Sequence, residues 1–330
     1  MSILYDDLPI IHGTGEILSD NKTNWVKTKL RTEAVAQSLD VHESTAMLGR
    51  HVRMMDCGAS LTFAVSTTGD KRLTAASFCR DRMCPGCQKR RSLVIFHQVK
   101  NICNSIQEDN PTFKYLLLTL TVPNVKADKL DSEIKHLSKS WYNLTRRKAF
   151  NKGVKGWFRA LEVTYNGERD DFHPHLHVLL CVPSGYFKKH YISQAKWLDM
   201  WRQSTKYPHI TQVDVRTIKP NPNRPESDSI SAAAAEVGKY ATKPSNYVAE
   251  LPSGCFIAVD HVVRDLAKAI AGKRLIAFGG IMKDYHSELR LADAESNEID
   301  LVHVDGENAS IDAVMRQVYR WNVGLRQYTN

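Results

Sequence analysis

The sequence predicts an α+β protein in which an antiparallel sheet carries helices on one face and leaves the other face open for a ligand. One observation is the order of strand-like and helix-like segments between residues 113 and 218, which is β-α-β-β-α-β. A second is the segment 172–180, where histidines recur at every other position, the period of a β-strand. A third is a cluster of four cysteines before residue 90, which predicts an N-terminal region stabilised by a metal ion.

Length and composition predict a globular protein. The chain has 330 residues, of which 42% are hydrophobic, enough to form a substantial core. No apolar run approaches the roughly 18 residues of a membrane span, and the first residues lack the basic start of a signal peptide. We therefore expect a cytoplasmic protein with no membrane partner. In that compartment the seven cysteines are expected to be reduced or bound to metal rather than paired in disulfides.

Basic charge is concentrated in the first part of the chain. Residues 284–330 contain nine acids and four Lys or Arg, so residues 1–283 carry 41 basic and 27 acidic side chains. This excess suits a polyanionic partner, of which nucleic acid is the obvious one. A basic surface that serves only solubility is the alternative.

Four cysteines have the spacing of a structural zinc site. Cys79, Cys84 and Cys87 form a Cys-x4-Cys-x2-Cys pattern with Pro-Gly near its centre, which favours a tight turn around a metal. Two short strands expected at 61–66 and 72–78 would form a hairpin that brings Cys57 beside Cys79. Four thiolates suit tetrahedral Zn²⁺, and unrelated cysteines or a redox pair are the alternatives. The surrounding basic residues predict a contact with duplex DNA. They are Arg80, Arg82, Lys89, Arg90 and Arg91.

Hydrophobic periodicity predicts the remaining elements. The expected helices are 24–50, 86–107, 127–147, 190–203 and 228–243, and the expected strands are 113–122, 156–165, 172–182 and 210–218. Helix 127–147 carries one apolar stripe, formed by Leu130, Ile134, Leu137, Trp141 and Leu144. From 113 to 218 the order of elements is that of the split βαβ, or ferredoxin-like, plan.

The histidine strand predicts a metal or catalytic site on the open face of the sheet. His173, His175 and His177 alternate, so their side chains share one face. Leu161 and Val163 of the preceding strand belong on the helix-covered face, which leaves Glu162 on the face of the histidines. A short hairpin loop would set Glu162 nearly opposite His175. Two imidazoles and one carboxylate form a three-ligand metal site. The alternatives are a half-buried strand with solvent-facing histidines and a surface glutamate.

Helix 228–243 predicts a second group of polar side chains. Its buried stripe is expected to be Ile230, Ala234, Val237 and Ala241. Glu236, Tyr240 and Lys243 fall within about 60° of one another on a different face. Taken alone, such a group is more often an ordinary polar surface than a catalytic site.

Three motifs in order resemble those of the replication initiator (Rep) proteins of rolling-circle plasmids, within the HUH endonuclease superfamily. The motifs are Leu117-Leu118-Thr119-Leu120-Thr121, His173-Pro174-His175-Leu176-His177 and Glu236-Val237-Gly238-Lys239-Tyr240-Ala241-Thr242-Lys243. The cysteine cluster and the stretch 273–280 (KRLIAFGG) also match this family. The resemblance spans roughly residues 50 to 285.

The resemblance implies a nuclease that nicks the double-strand origin of a plasmid. Tyr240 would attack the scissile phosphodiester, leaving a 5′-phosphotyrosyl link and a 3′-hydroxyl primer. His175, His177 and Glu162 would hold Mn²⁺ or Mg²⁺, and Glu236 would activate water at termination. Lys239 and Lys243 would contact the DNA, which must be single-stranded at the nick. Host helicase and polymerase are the implied protein partners.

Two rival functions remain open at the level of sequence. The histidine segment also resembles the motif of histidine-triad nucleotidyl hydrolases, and a non-catalytic zinc-stabilised DNA-binding protein would explain the cysteines and the charge. The predicted division of the chain has three parts. Residues 1–110 form a helical region with a four-cysteine zinc site that contacts origin DNA, residues 111–250 form the nuclease core, and residues 251–330 form a helical extension with an acidic tail.

Overall fold

The computed structural model describes residues 5–19, 23–39, 42–218, 229–238, 247–304 and 311–330. Its helices are α1 (Trp25–Gln37), α2 (Thr45–Met55), α3 (Pro85–Asp109), α4 (Ala127–Thr145), α5 (Lys148–Gly153), α6 (Tyr186–Lys189), α7 (Gln194–Thr205), α8 (Ser229–Val237), α9 (Asp260–Ala269) and α10 (Ile281–Glu288). Its strands are β1 (Ile10–Ile11), β2 (Ser60–Ser66), β3 (Lys71–Ala76), β4 (Lys114–Thr121), β5 (Gly156–Asn166), β6 (Asp171–Val182), β7 (Asp214–Thr217), β8 (Val248–Glu250), β9 (Phe256–Ala258), β10 (Ile276–Gly280), β11 (Ala313–Asn322) and β12 (Gln327–Thr329). The α+β class with antiparallel sheets is confirmed.

The chain folds into two units that alternate along the sequence. The first comprises Met1–Val94, Tyr247–Arg264 and Asn297–Asn330, and the second comprises Ile95–Asn246 and Asp265–Ser296. The domain boundaries expected at residues 110 and 250 assume that each domain is one continuous segment. Each of the two observed units instead combines segments that are distant in sequence. In the described part of the chain, no helix combines the length and apolar character needed to cross a membrane.

The first unit is built around a sheet of order β1-β11-β2-β3, with β12 paired to β11. Its core consists of apolar and aromatic side chains from both ends of the chain, namely Leu18, Trp25, Leu61, Phe63, Val65, Leu73, Tyr319 and Tyr328. The region 251–330, expected to be helical, contains helices α9 and α10 but also strands β9 to β12, of which β11 is central in this sheet. Its partner β2 lies some 250 residues earlier, and such a long-range pairing leaves little local signal.

The first unit also corrects the single helix expected at 24–50. Two helices form there, and each begins at a side chain that caps it. The Asn24 side chain accepts a hydrogen bond from the Lys27 backbone, and the Ser44 side chain accepts one from Met47. These caps satisfy backbone N–H groups that have no partner within their helices, so each favours a helix start.

The second unit contains the sheet predicted from the histidine segment. Its strand order is β10-β5-β6-β4-β7, and every neighbouring pair is antiparallel. The strands expected at 113–122, 156–165, 172–182 and 210–218 are present as β4, β5, β6 and β7. The edge strand β10 is an addition that the periodicity did not predict.

Helix α4 covers one face of this sheet. The side chains of its predicted apolar stripe are all buried, and Trp141 packs edge-on against Trp157 of β5 at 5.0 Å between ring centroids. Leu161 and Val163 are 2% and 1% exposed, as their assignment to the covered face requires. Each fully buried side chain of this size stabilises the fold by about 1.5–3 kcal/mol.

The opposite face carries the histidines and is contacted by two other helices. Tyr115 of β4 donates a hydrogen bond to the Cys103 carbonyl of α3 at 3.0 Å. The backbone of Arg216 in β7 pairs with that of Leu117 in β4. The Arg216 guanidinium lies 3.7 Å from the Glu236 carboxylate of α8. Leu117 shares its face with Thr119, which pairs with His177. Helices α3 and α8 therefore contact the face that bears the histidines.

Candidate metal centres

The β5–β6 hairpin brings Glu162, His175 and His177 together. Glu162 pairs directly with His175, and Ala160 pairs with His177, which confirms the register predicted from alternation. Directly paired and alternate residues share a face, so the three side chains converge. Glu162 Oε2 lies 2.7 Å from His177 Nε2 and 3.2 Å from His175 Nε2, and the two Nε2 atoms are 3.1 Å apart.

These distances fit three ligands of one divalent ion. Nitrogen and oxygen ligands at about 2.1 Å from a metal lie about 3 Å from one another. His175 Nδ1 is 3.1 Å from the His173 carbonyl, which can only accept, so Nδ1 carries the proton. In the neutral ring Nε2 then presents a lone pair to the centre of the group. A cation satisfies the three converging atoms at once, whereas a single proton can bridge only two of them.

Burial strengthens the case for a cation in this group. Glu162 is 2% exposed and His175 is 8% exposed. A buried carboxylate requires charge compensation as well as hydrogen bonds. The donor set of two imidazoles and one carboxylate suits Mn²⁺, Mg²⁺ and other divalent ions. The residues present therefore fit a divalent metal, whose identity the geometry leaves open.

His173 lies outside this group. Its ring centroid is 5.3 Å from that of His175, and burial lowers the pKa of His173. Its backbone carbonyl orients His175 instead.

On the other side of β6, the first motif supplies Thr119 opposite His177 and Thr121 opposite His175. The first two motifs are thus neighbours on one sheet face.

Helix α8 brings the start of the third motif to the same face. Ala234 and Val237 are fully buried, as the predicted stripe requires, and Ile230 is half-buried. Glu236 is partly exposed and lies near Arg216, a neighbour that sequence reasoning missed. Four residues of the prediction lie outside the described part of the chain, namely Lys239, Tyr240, Ala241 and Lys243.

The second candidate centre is formed by the four cysteines of the first unit. Sγ–Sγ distances are 3.5 Å for Cys84–Cys57, 3.6 Å for Cys57–Cys87 and 3.7 Å for Cys79–Cys87. Thiolates at about 2.3 Å from a tetrahedral zinc lie about 3.8 Å apart. None of the four sulfurs is in a disulfide. The predicted grouping of Cys57, Cys79, Cys84 and Cys87 is confirmed.

Backbone groups support thiolate ligands in this cluster. The Cys79 N–H points to Cys57 Sγ at 3.4 Å, and the Arg80 N–H points to Cys87 Sγ at 3.1 Å. The contact with Cys57 raises the pKa of Cys79 and Cys87, because a compact group of buried thiols opposes several negative charges. A divalent ion removes this repulsion and allows the thiols to ionise.

Two basic residues of the predicted DNA contact are corrected by the structure. Arg90 is 1% exposed and donates to the carbonyls of Leu301 at 2.7 Å and Val302 at 2.9 Å. Arg91 is fully buried and donates to the Arg80 carbonyl at 2.8 Å. Both guanidinium groups bind loop carbonyls within the first unit, so they do not form a surface for DNA. Arg80 is exposed and Arg82 is partly exposed.

Comparison with known proteins agrees with this arrangement. A family model described as a replication protein matches residues 70–329, which include both candidate centres except Cys57. The chain belongs to the replication initiator (Rep) family of rolling-circle plasmids. Among curated Rep proteins, one from Bacillus amyloliquefaciens is 34% identical over 326 residues, covering 93% of this chain and 94% of the relative.

Two further Rep relatives match shorter stretches of the chain. A protein from a Bacillus species is 35% identical over 292 residues, covering 84% of this chain and 92% of the relative. One from Staphylococcus aureus is 38% identical over 196 residues, covering 58% of this chain and 82% of the relative. No solved structure gives a significant match. The resemblance read from the three motifs is thus confirmed at the level of the Rep family.

Proposed function

We propose that this Rep protein nicks one strand of the plasmid origin by transesterification at the sheet face that bears Glu162, His175 and His177. The observation that carries the proposal is the convergence of these three ligand atoms within 3.2 Å, on the face contacted by α8. Tyr240 follows Glu236 by four residues, about one turn if the helix continues.

The metal group would bind the scissile phosphate. A bound Mn²⁺ or Mg²⁺ would polarise a phosphate oxygen and offset the charge that develops during attack. The chain supplies the ligands in a fixed arrangement, because Glu162 and His175 are held by direct pairing of adjacent strands. His175 is further oriented through Nδ1 by the His173 carbonyl, as is common for metal-binding histidines.

Tyr240 would act as the nucleophile. Its phenol oxygen forms a bond to phosphorus while the bond from phosphorus to the 3′ oxygen breaks, and the proton lost by the phenol is balanced by protonation of the leaving 3′ oxygen, which becomes the 3′-hydroxyl. Free tyrosine has a pKa near 10, so a nearby cation such as Lys243 would favour the phenolate. The phosphotyrosyl link conserves the bond energy for later strand joining. Host polymerase would extend the 3′-hydroxyl, and host helicase would unwind the duplex.

Glu236 would act at termination. Its carboxylate is partly exposed on α8, where it can accept a proton from water that attacks a second phosphodiester. Arg216, at 3.7 Å, would hold this carboxylate in place or bind a neighbouring phosphate. The separate roles of Tyr240 and Glu236 allow one tyrosine to serve a full replication cycle.

We also propose the finer architecture. The order β7-β4-β6-β5 supports a ferredoxin-like core extended by β10, and residues 111–250 would supply most of the nuclease. The cysteine cluster would hold a structural Zn²⁺, and Arg80, Arg82 and the exposed Lys89 beside it would contact duplex DNA, with the protein acting in the cytoplasm.

A nicking assay tests the central proposal. Supercoiled plasmid carrying the origin is incubated with the protein and Mn²⁺, and the products are analysed for open circles and covalent protein–DNA adduct. Tyr240→Phe should bind the origin but form no adduct. Tyr191→Phe, at a tyrosine that is 62% exposed, is the matched control and should behave as the wild type. An adduct formed by Tyr240→Phe would overturn the assignment of the nucleophile.

A further inference from the structure

A cavity of about 360 Å³ lies between β10 and α10 in the second unit. Its lining combines apolar, aromatic, basic and acidic side chains, among them Ile276, Phe278, His286, Arg274, Lys283 and Asp293. The volume lies at the lower end of the roughly 300–1,000 Å³ typical of small-molecule sites. The cavity therefore suits a ligand of nucleotide size.

Side chains that line the cavity share the sheet face that carries the metal group. Ile276 pairs with Ala160, and Phe278 pairs with Phe158. Residues 158, 160 and 162 alternate along β5, so their side chains share the face of Glu162. Ala160 in turn pairs with His177. With strands about 4.8 Å apart, Ile276 lies about 10 Å from His177, a distance that one or two nucleotides of an unpaired strand can span.

The chemistry of the lining matches a nucleobase and its phosphate. The Phe278 ring lies 4.8 Å from those of both Phe158 and His286, which makes an aromatic surface. Burial lowers the pKa of His286, so near neutral pH its ring can donate or accept a hydrogen bond without charge. Arg274 and Lys283 are exposed at the rim, where cations attract phosphate. Arg274 is also paired with Asp293 at 3.1 Å.

Two glycines at the end of β10 permit the close packing and the turn that place α10 beside the strand. A side chain at Gly279 would collide with the Trp157 ring, and Gly280 has φ +55° with the Lys155 carbonyl directly beside it. The chain can therefore turn sharply from β10 into α10 only with glycine at 280. This accounts for the glycine pair in the stretch 273–280, which the nicking mechanism leaves unused.

We propose that this cavity binds one unpaired base of the origin strand, next to the scissile phosphate. The inference rests on the proposed nicking function and adds to it a site that selects and holds the strand. An extracted base would lie against Phe278 and Ile276, and the rim cations would contact the adjoining phosphate. Stacking of a base on an aromatic side chain contributes several-fold or more to single-strand affinity.

Filling the cavity tests this proposal. Ser287 lines the cavity at an exposed position of α10, and its hydroxyl donates only to the Lys283 carbonyl of its own helix among the bonds described. Ser287→Trp should therefore occupy the space while leaving the core intact. Leu289→Trp adds the same ring two residues later, at a site that is 38% exposed and outside the cavity lining, and serves as the control. Circular dichroism checks that both variants fold.

The readout is affinity for single-stranded oligonucleotides that contain the mapped nick site. Fluorescence anisotropy without added divalent metal compares the intact strand with strands made abasic at each position near the nick. For wild type and Leu289→Trp, removing the base at one particular position should lower the affinity about tenfold. Ser287→Trp should bind the intact strand about tenfold more weakly and lose little more when that base is removed.

Each other outcome overturns the proposal in a distinguishable way. If Ser287→Trp retains wild-type affinity and the same abasic profile while wild type still nicks, the cavity is not a base site but the nicking function stands. If wild type neither binds the strand nor forms an adduct, the proposed function fails as well. A third outcome would assign the cavity to a free nucleotide instead. In that case free deoxynucleotides would compete with the strand for wild type but not for Ser287→Trp, and no abasic position would lower the affinity.

Discussion

Replacing Glu162 with glutamine tests the metal group, because it removes the carboxylate charge and keeps the side-chain shape. Glu162 Oε2 lies 2.7 and 3.2 Å from the two imidazole nitrogens. The glutamine amide would occupy the same place, but it is a poorer metal ligand because it carries no charge. Two imidazoles remain. We expect the Mn²⁺ concentration for half-maximal nicking to rise about 10- to 100-fold, equivalent to about 1.4–2.7 kcal/mol of metal-binding free energy.

The same substitution should not weaken the metal-free fold. A carboxylate that is 2% exposed costs free energy to bury, and a neutral amide avoids much of that cost. Chemical denaturation without added divalent metal should therefore give Glu162→Gln a free energy of unfolding no lower than that of the wild type. Lost activity can then be attributed to metal binding.

The assay titrates Mn²⁺ into chelator-treated protein and measures the rate of supercoiled plasmid nicking. Glu168→Gln is the matched control, because Glu168 is an exposed glutamate in the loop between β5 and β6. It should show the wild-type metal dependence. Substitution of His175 or His177 by alanine should abolish nicking at every Mn²⁺ concentration. If Glu162→Gln has an unchanged metal dependence, the third ligand lies elsewhere, and His173 is the next candidate.

Three further predictions concern the zinc cluster, termination and a buried arginine. The purified protein should contain about one tightly held zinc, and Cys84→Ser should lower stability more than it changes nicking; protein prepared without chelator that contains no zinc would refute this. Glu236→Ala should still nick and form the adduct but release multimeric run-on products in a replication assay, whereas purely monomeric circles would reduce Glu236 to a surface ion-pair residue. Arg90→Ala should lower the free energy of unfolding by about 1–3 kcal/mol, because it leaves the carbonyls of Leu301 and Val302 without this donor. If the slope of log K against log salt concentration for origin binding fell in magnitude by about one instead, Arg90 would contact a phosphate.

Local patterns in the sequence determined both candidate metal centres. Alternation in β6 places His175 and His177 on one face, and the same rule applied to β5 adds Glu162, because neighbouring strands joined by a short loop have a restricted register. The four cysteines were visible because a turn and a hairpin act over short separations. The stripe on α4 followed from the helical period alone.

Only the tertiary structure decided the features that depend on distant segments. Arg90 and Arg91 have the composition of a DNA-binding surface, yet the carbonyls of Leu301 and Val302, more than 200 residues away, bind Arg90 in the interior. Strand β11 pairs with β2 across a similar separation, and β10 joins the edge of the histidine sheet. Such pairings are selected by the burial gained over the whole fold, and the local sequence carries little record of which segments will meet.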